Sequence, residues 1–207
     1  MRTSVMRARL MRAAALVTIV VASASLAACS SNPLADQYRA GSGKNYIAGD
    51  GSVTELPPQN RGAAIVFSGT TIDDQPLSSA NLRGRVVVVN FWYAGCAPCR
   101  AEAPDLQAVY EAETTAGRPV TFVGVNVRDQ AATAMSFNTT FGITYPTVTD
   151  QLGSIQLAFA SNVPPNAVPT TLILDAQGRV AARVLGAIAE PSILEALIDS
   201  VVAETTP

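Results

Sequence analysis

The chain has 207 residues, is 48% apolar, and sets fourteen basic against sixteen acidic side chains, with no histidine. That length and apolar share support one domain with a proper core. With the basic N-terminal segment removed, as read below, the acidic excess rises to six, which argues against a polyanion such as nucleic acid as partner.

The first segment is set apart from the fold. Arg2, Arg7, Arg9 and Arg12 make a basic start, and 13–28 is apolar except for Thr18, Ser23 and Ser25. Such a run is shorter than the roughly 20 residues a spanning helix needs, which favours a secretory signal. It ends in "LAAC", Leu26 to Cys29, which resembles the lipobox of bacterial lipoproteins. The resemblance implies that Cys29 is lipidated, becomes the mature N-terminus and anchors the chain to a membrane. An ordinary cleavable signal followed by a chance cysteine is the alternative. Loss of residues 1–28 leaves ten basic against sixteen acidic side chains, a net charge of −6.

From Ser30 to about Arg61 the chain is rich in Ser, Gly, Asn and Pro without a helical or strand period. It reads as a tether with a reach of about 30 Å. The predicted organisation is a signal over 1–28, a lipidated N-terminus and tether over 29–61, and a folded domain over 62–207.

Within that domain "AIVFSGTTI" and "PLSSANLRG" around "DDQ" predict a strand, a turn and a return that ends in a helical turn. "RVVVVNFW" (85–92) is a β-branched run, the pattern of a central strand buried on both faces. A helix follows over about 97–116, stopped by Gly117 ahead of Pro119, with Pro104 read as a kink. "VTFVGVNV" (120–127) predicts a second buried strand, then come a helix near 130–141 and a short helix near 152–160. "TTLILD" and "RVAARVLG" flank "AQG" as a hairpin, and an amphipathic helix closes the chain near 190–202. The first two long strands need a crossover and should be parallel; the late hairpin must be antiparallel. The expected fold class is α/β: a thioredoxin-like mixed sheet with helices on both faces, an N-terminal β-hairpin extension and a central insertion.

The chemistry sits in "NFWYAGCAPCRAEAP" (90–104). Cys96 falls at the amino end of the predicted helix, where unpaired N–H groups and the helix dipole favour a thiolate, so it is the expected nucleophile. Cys99, one turn on and expected to face less water, would resolve the mixed disulfide. Pro98 suits a first helical turn. Zinc is disfavoured because four Cys or His ligands are needed, and no metal is predicted. A structural staple is weak because so short a loop removes little chain entropy.

This segment resembles the active site of the TlpA/ResA-type thioredoxin-like proteins of bacterial cell envelopes. The likeness extends through "LSSANLRGRVVVVNFW", "VGVNVRDQ", "FGITYPTVTDQLGS" and "AVPTTLILDAQGRV", roughly residues 64–203. One departure is Gly95, where these proteins usually carry Trp; Trp92 matches an earlier aromatic of the motif. The resemblance implies a redox-active Cys96–Cys99 disulfide needing no further cofactor. It also implies a cis-proline at Pro169 and, with Val168 and Trp92, a substrate-docking region; the alternative for Pro169 is an ordinary trans loop proline. Glu102 matches an active-site glutamate that tunes the cysteines and moves protons, against the alternative of a solvated helix glutamate. Arg100 reads as a surface residue.

Relatives of this type act as reductants outside the cytoplasm. The resemblance therefore implies re-reduction by a membrane thiol transporter of the CcdA/DsbD type and an apocytochrome c substrate whose haem-attachment cysteines are kept reduced. The expected location is the extracytoplasmic face of the bacterial cell membrane. An oxidase or isomerase for exported proteins, a thiol peroxidase and a non-enzymatic binding lipoprotein stay open as alternatives. The peroxidase reading rests on the Phe67 to Pro76-Leu77-Ser78 opening, although "NFWYAGC" lacks the usual P-x-x-x-T-x-x-C.

Overall fold

The computed structural model describes residues 51–164 and 166–204. The signal, Cys29 and most of the expected tether lie outside the described residues. In chain order the strands and helices are β1 (Ser52–Glu55), β2 (Ser68–Thr70), β3 (Pro76–Ser78), β4 (Val86–Trp92), α1 (Ala97–Thr115), β5 (Val120–Asn126), α2 (Ala131–Phe141), β6 (Thr147–Thr149), α3 (Ser154–Ala158), β7 (Thr170–Leu174), β8 (Val180–Leu185) and α4 (Pro191–Ala203). Two 3-10 turns, Pro58–Asn60 and Ser79–Leu82, complete the set.

Six strands form one sheet in the order β1-β8-β7-β4-β5-β6, and β2 and β3 make a separate hairpin. β4 pairs parallel with β5, as the crossover helix between them predicts, and β7 pairs antiparallel with β8, as the hairpin signal predicts; β4 also pairs antiparallel with β7. All seven residues of β4 are buried. Their alternation separates two faces. Asn90 and Trp92 meet Glu102 of α1 and Phe137 of α2. Phe91 turns the other way onto Phe159, just beyond α3, and Phe159 in turn touches Phe67 ahead of the hairpin. Helices therefore cover both faces, and the α2–β6 unit is the central insertion. The hairpin is tied to the edge of that insertion by Ile72 N–H donating to the Thr147 carbonyl at 2.9 Å.

Two expectations need correction. The strand read over "AIVFSGTTI" shrinks to Ser68–Thr70, because Ile65 N–H instead donates to Gly178 O at 2.8 Å and Val66 is left exposed. The tether does not reach Arg61. Ser52–Glu55 pairs antiparallel with β8 at the sheet edge, so the folded part includes residues ahead of 62. Arg61 secures this edge: Nε donates to Leu56 O at 2.8 Å and Nη1 to Asp175 Oδ2 at 3.0 Å. The same guanidinium makes a two-pronged contact with Glu204 beyond α4, at 2.6 and 2.7 Å. Nothing local in a polar, period-free stretch announces pairing partners more than a hundred residues away.

Breaking a buried ion pair leaves an uncompensated charge, here Asp175, although Arg179 remains beside it at 2.8 Å. Arg61→Ala should therefore cost about 2–3 kcal/mol in urea unfolding, below the roughly 3–5 of a wholly stranded charge. A residue in a solvated tether would show no change.

Candidate active site

β4 delivers the chain to the site. After Trp92 the turn 93–95 is braced from the β5–α2 connection: Asp129 Oδ2 accepts the Ala94 N–H at 2.6 Å and the Asn126 amide at 2.9 Å. Asn126 Oδ1 accepts the backbone N–H groups of Arg128 and Asp129 at 3.1 and 2.7 Å, which fixes the bracing loop itself. Cys96 then caps α1. Its Sγ accepts the Cys99 N–H at 3.3 Å, satisfying one of the free donors of the first turn. Pro98 stands in that turn, where no N–H is missed, and the helix is continuous across Pro104.

Cys96 and Cys99 form a disulfide, S–S 2.09 Å, with Cα atoms 5.2 Å apart. The expectation that Cys96 faces more water than Cys99 is not met: they are 0% and 2% exposed. In the closed state the Cys96 sulfur points to the helix start and sits within the apolar core. Exchange with an outside thiol thus requires this end of the site to open. Among the described residues no group of three or more His, Cys, Asp or Glu side chains is placed to hold a metal ion.

Glu102 is no solvated helix glutamate. It is 2% exposed, with Oε1 accepting from Asn90 Nδ2 at 2.9 Å and Oε2 from the Ile188 N–H at 3.0 Å. Desolvation raises its proton affinity, opposed by these two donors and aided by Asp105, and its pKa stands at about 7. Burial likewise pushes the Tyr145 phenol up, with Glu102 adding to the shift. A carboxyl titrating near neutrality, three residues from Cys99 on one helix, is suited to accept or return a proton as sulfurs change charge.

Val168–Pro169 is a cis peptide bond, as the resemblance implies. Thr170 pairs with Phe91 and Thr171 with Asn90, so Pro169 lies at the sheet end from which the cysteine turn leaves β4. Val168 borders an apolar cavity of about 220 Å³ with Phe91, Val127 and Leu157. Trp92 is a correction. It is 3% exposed, its ring stacks on Phe137 at 4.2 Å, and it offers no surface for docking. Gly124 makes room for it: a β-carbon there would meet the indole Nε1 at 3.0 Å and Thr147 Oγ1 at 2.8 Å.

Gly95 is exposed, and a β-carbon there would approach the Tyr93 ring to 3.1 Å. Tyr93 is buried under the Arg128 guanidinium, 4.2 Å from its centroid. Tyr93 thus lies against the position where relatives carry Trp. Arg100 is exposed, as expected, with its guanidinium 5.3 Å over Phe141. Asn90, Asp129, Tyr145 and Thr171 were not singled out from the sequence. Only Asn90 left a signal, as the one polar residue in "VVVVNFW".

The Redoxin family model matches residues 57–198. The chain belongs to the Redoxin family. It is a thioredoxin-like protein of the ResA/TlpA type. A thiol-disulfide oxidoreductase ResA of Geobacillus kaustophilus is 32% identical over 114 residues, 55% of this chain and 62% of that protein. The chain therefore spans about three-fifths of the length of this curated relative. A DsbF homologue from Corynebacterium diphtheriae superposes with TM-score 0.63 at 35% identity, covering 73% of this chain and 94% of the other. A secreted thiol-disulfide isomerase from Corynebacterium glutamicum gives 0.65 at 30%, covering 74% and 96%. The match from residue 57 agrees with the folded part starting ahead of Arg61.

The raised Glu102 pKa has a sign that stability can report. Above about pH 4.5 the unfolded carboxyl ionises while the folded one keeps its proton to about 7, so the group's stabilising contribution is complete below 4.5 and lost as pH rises through 7. Relative to Glu102→Gln, the wild-type chain should lose roughly 3 kcal/mol of unfolding free energy across that window. Parallel pH dependences in urea unfolding of the two proteins would contradict this.

Proposed function

We propose that the chain is an extracytoplasmic thiol-disulfide oxidoreductase, held at the membrane by a lipid on Cys29, that acts as a specific reductant in c-type cytochrome biogenesis. The observation that carries the redox reading is the Cys96–Cys99 disulfide at the start of α1 with the buried Glu102 carboxyl one turn beyond Cys99. The reduced pair would meet a substrate disulfide. The Cys96 thiolate attacks one substrate sulfur, a mixed disulfide forms, and the other substrate sulfur leaves as a thiolate that takes up a proton. Cys99, deprotonated, then attacks Cys96 Sγ; the second substrate sulfur departs, and two electrons have passed to the substrate. Glu102 accepts or supplies the proton for the Cys99 sulfur.

The substrate in this reading is an apocytochrome c whose haem-attachment cysteines must stay reduced. The closed pair is returned to the dithiol by a membrane thiol transporter of the CcdA/DsbD type. Support comes from the ResA relative and from the Ala97-Pro98 dipeptide, since proline before the second cysteine also occurs in reducing thioredoxins.

A second reading has its own observation. The solved structures from Corynebacterium, one described as a secreted isomerase, are covered over 94% and 96% of their length. The same residues would then run in the oxidising or isomerising direction. The midpoint potential of the full chain separates the two. The reductant reading expects a value near thioredoxin's, about −270 mV; a value near the strong oxidant DsbA, about −120 mV, would remove it. A Cys99→Ala chain should trap its substrate as a mixed disulfide through Cys96.

A further inference from the structure

β4 is buried on both faces, and six of its seven residues are apolar. Asn90 is the exception, at 3% exposure. An amide in such a place is costly unless its groups are paired, and Val or Leu would suit the strand better. Its partners explain it. One Nδ2 group donates to Glu102 Oε1 at 2.9 Å and to Thr171 Oγ1, its cross-strand neighbour on β7, at 3.0 Å. The Thr171 contact turns the amide nitrogen toward the carboxyl, and the Ile188 N–H holds the other carboxyl oxygen.

We infer that Asn90 is a positioning residue for Glu102: its amide, fixed by Thr171, holds the buried carboxyl at one orientation and controls proton exchange with the cysteine pair. The inference rests on reading Cys96–Cys99 as the exchanging pair. Glu102 is reached from α1, β4, the segment before α4 and the segment before β6. From its own helix Asp105 acts on it, and from ahead of β6 the Tyr145 phenol does. β4 and the 186–190 segment present Asn90 and a backbone N–H, neither of which titrates. The cysteines titrate only when reduced.

Of the two donors on the carboxylate, Asn90 is the side-chain one and can be removed without altering the main chain. Loss of a hydrogen bond to a charged group disfavours the charged form by about one pKa unit or more. The test follows the Glu102 carboxyl carbon by NMR over pH 5–9 in the full chain and in Asn90→Val. It also follows the pH profile of exchange with glutathione in both, and again in the Glu102→Gln background. The titration is expected to move upward by about one unit in Asn90→Val. The exchange profile should move the same way, and Asn90→Val should shift nothing once Glu102 is Gln. An unmoved titration overturns the inference, as does a profile shift that persists without Glu102. If Asn90→Val does not fold, Asn90→Ser, whose shorter side chain does not span the 2.9 Å contact, carries the same two criteria. The carboxyl titration needs no substrate, so a wild-type chain that failed to exchange would sink the functional reading and leave the positioning of Glu102 decided separately.

Discussion

A carboxyl sealed from water can stay ionisable only where donors are fixed around it, and that constraint organises this molecule. Glu102 is supplied by α1, its donors by β4 and by the turn ahead of α4. None of the three can shift alone without leaving the buried carboxyl short of a donor and its ionised form less favoured. The helix that begins at Cys96, the central strand and the C-terminal helix are thus tied at one point. That point lies one turn beyond Cys99 of the disulfide.

The cysteine turn is held from the opposite direction by similar means. Asp129 and Asn126 are polar residues at the end of β5 whose side chains mostly serve backbone N–H groups. They leave the turn 93–95 little freedom, which suits a motif that must place a sulfur at the first turn of a helix. Tyr93 and Arg128 fill the neighbouring space, and Gly95 keeps the Tyr93 ring clear of any side chain at 95. Beside the cysteines this chain thus places the Tyr93 ring, under the Arg128 guanidinium, against Gly95.

Buried sulfurs place a condition on catalysis. In the disulfide state both are covered, so recognition of a partner must begin on the surface around them. An apolar cavity bordered by the exposed Leu157 adjoins Val168, the residue before the cis-proline. Its walls come from β4, the β5–α2 connection, α3 and the loop before β7.

By itself the sequence determined the order of the long strands and helices, the parallel pairing of β4 with β5, the antiparallel β7–β8 hairpin, and the cysteine pair at a helix start. These follow from short-range signals: apolar periodicity, turn residues and a two-residue spacing. Glu102 and Pro169 were legible only through the resemblance, because burial of a helical glutamate and the isomer of a proline depend on what packs against them. The tertiary structure alone decided that Ser52–Glu55 joins the sheet and that Trp92 is core rather than docking surface. It alone revealed that Asn90, Thr171 and the Ile188 N–H surround the carboxyl. Each of these depends on partners from 12 to more than 130 residues away, and pairing over such distances is set by the packed fold, not by any local pattern.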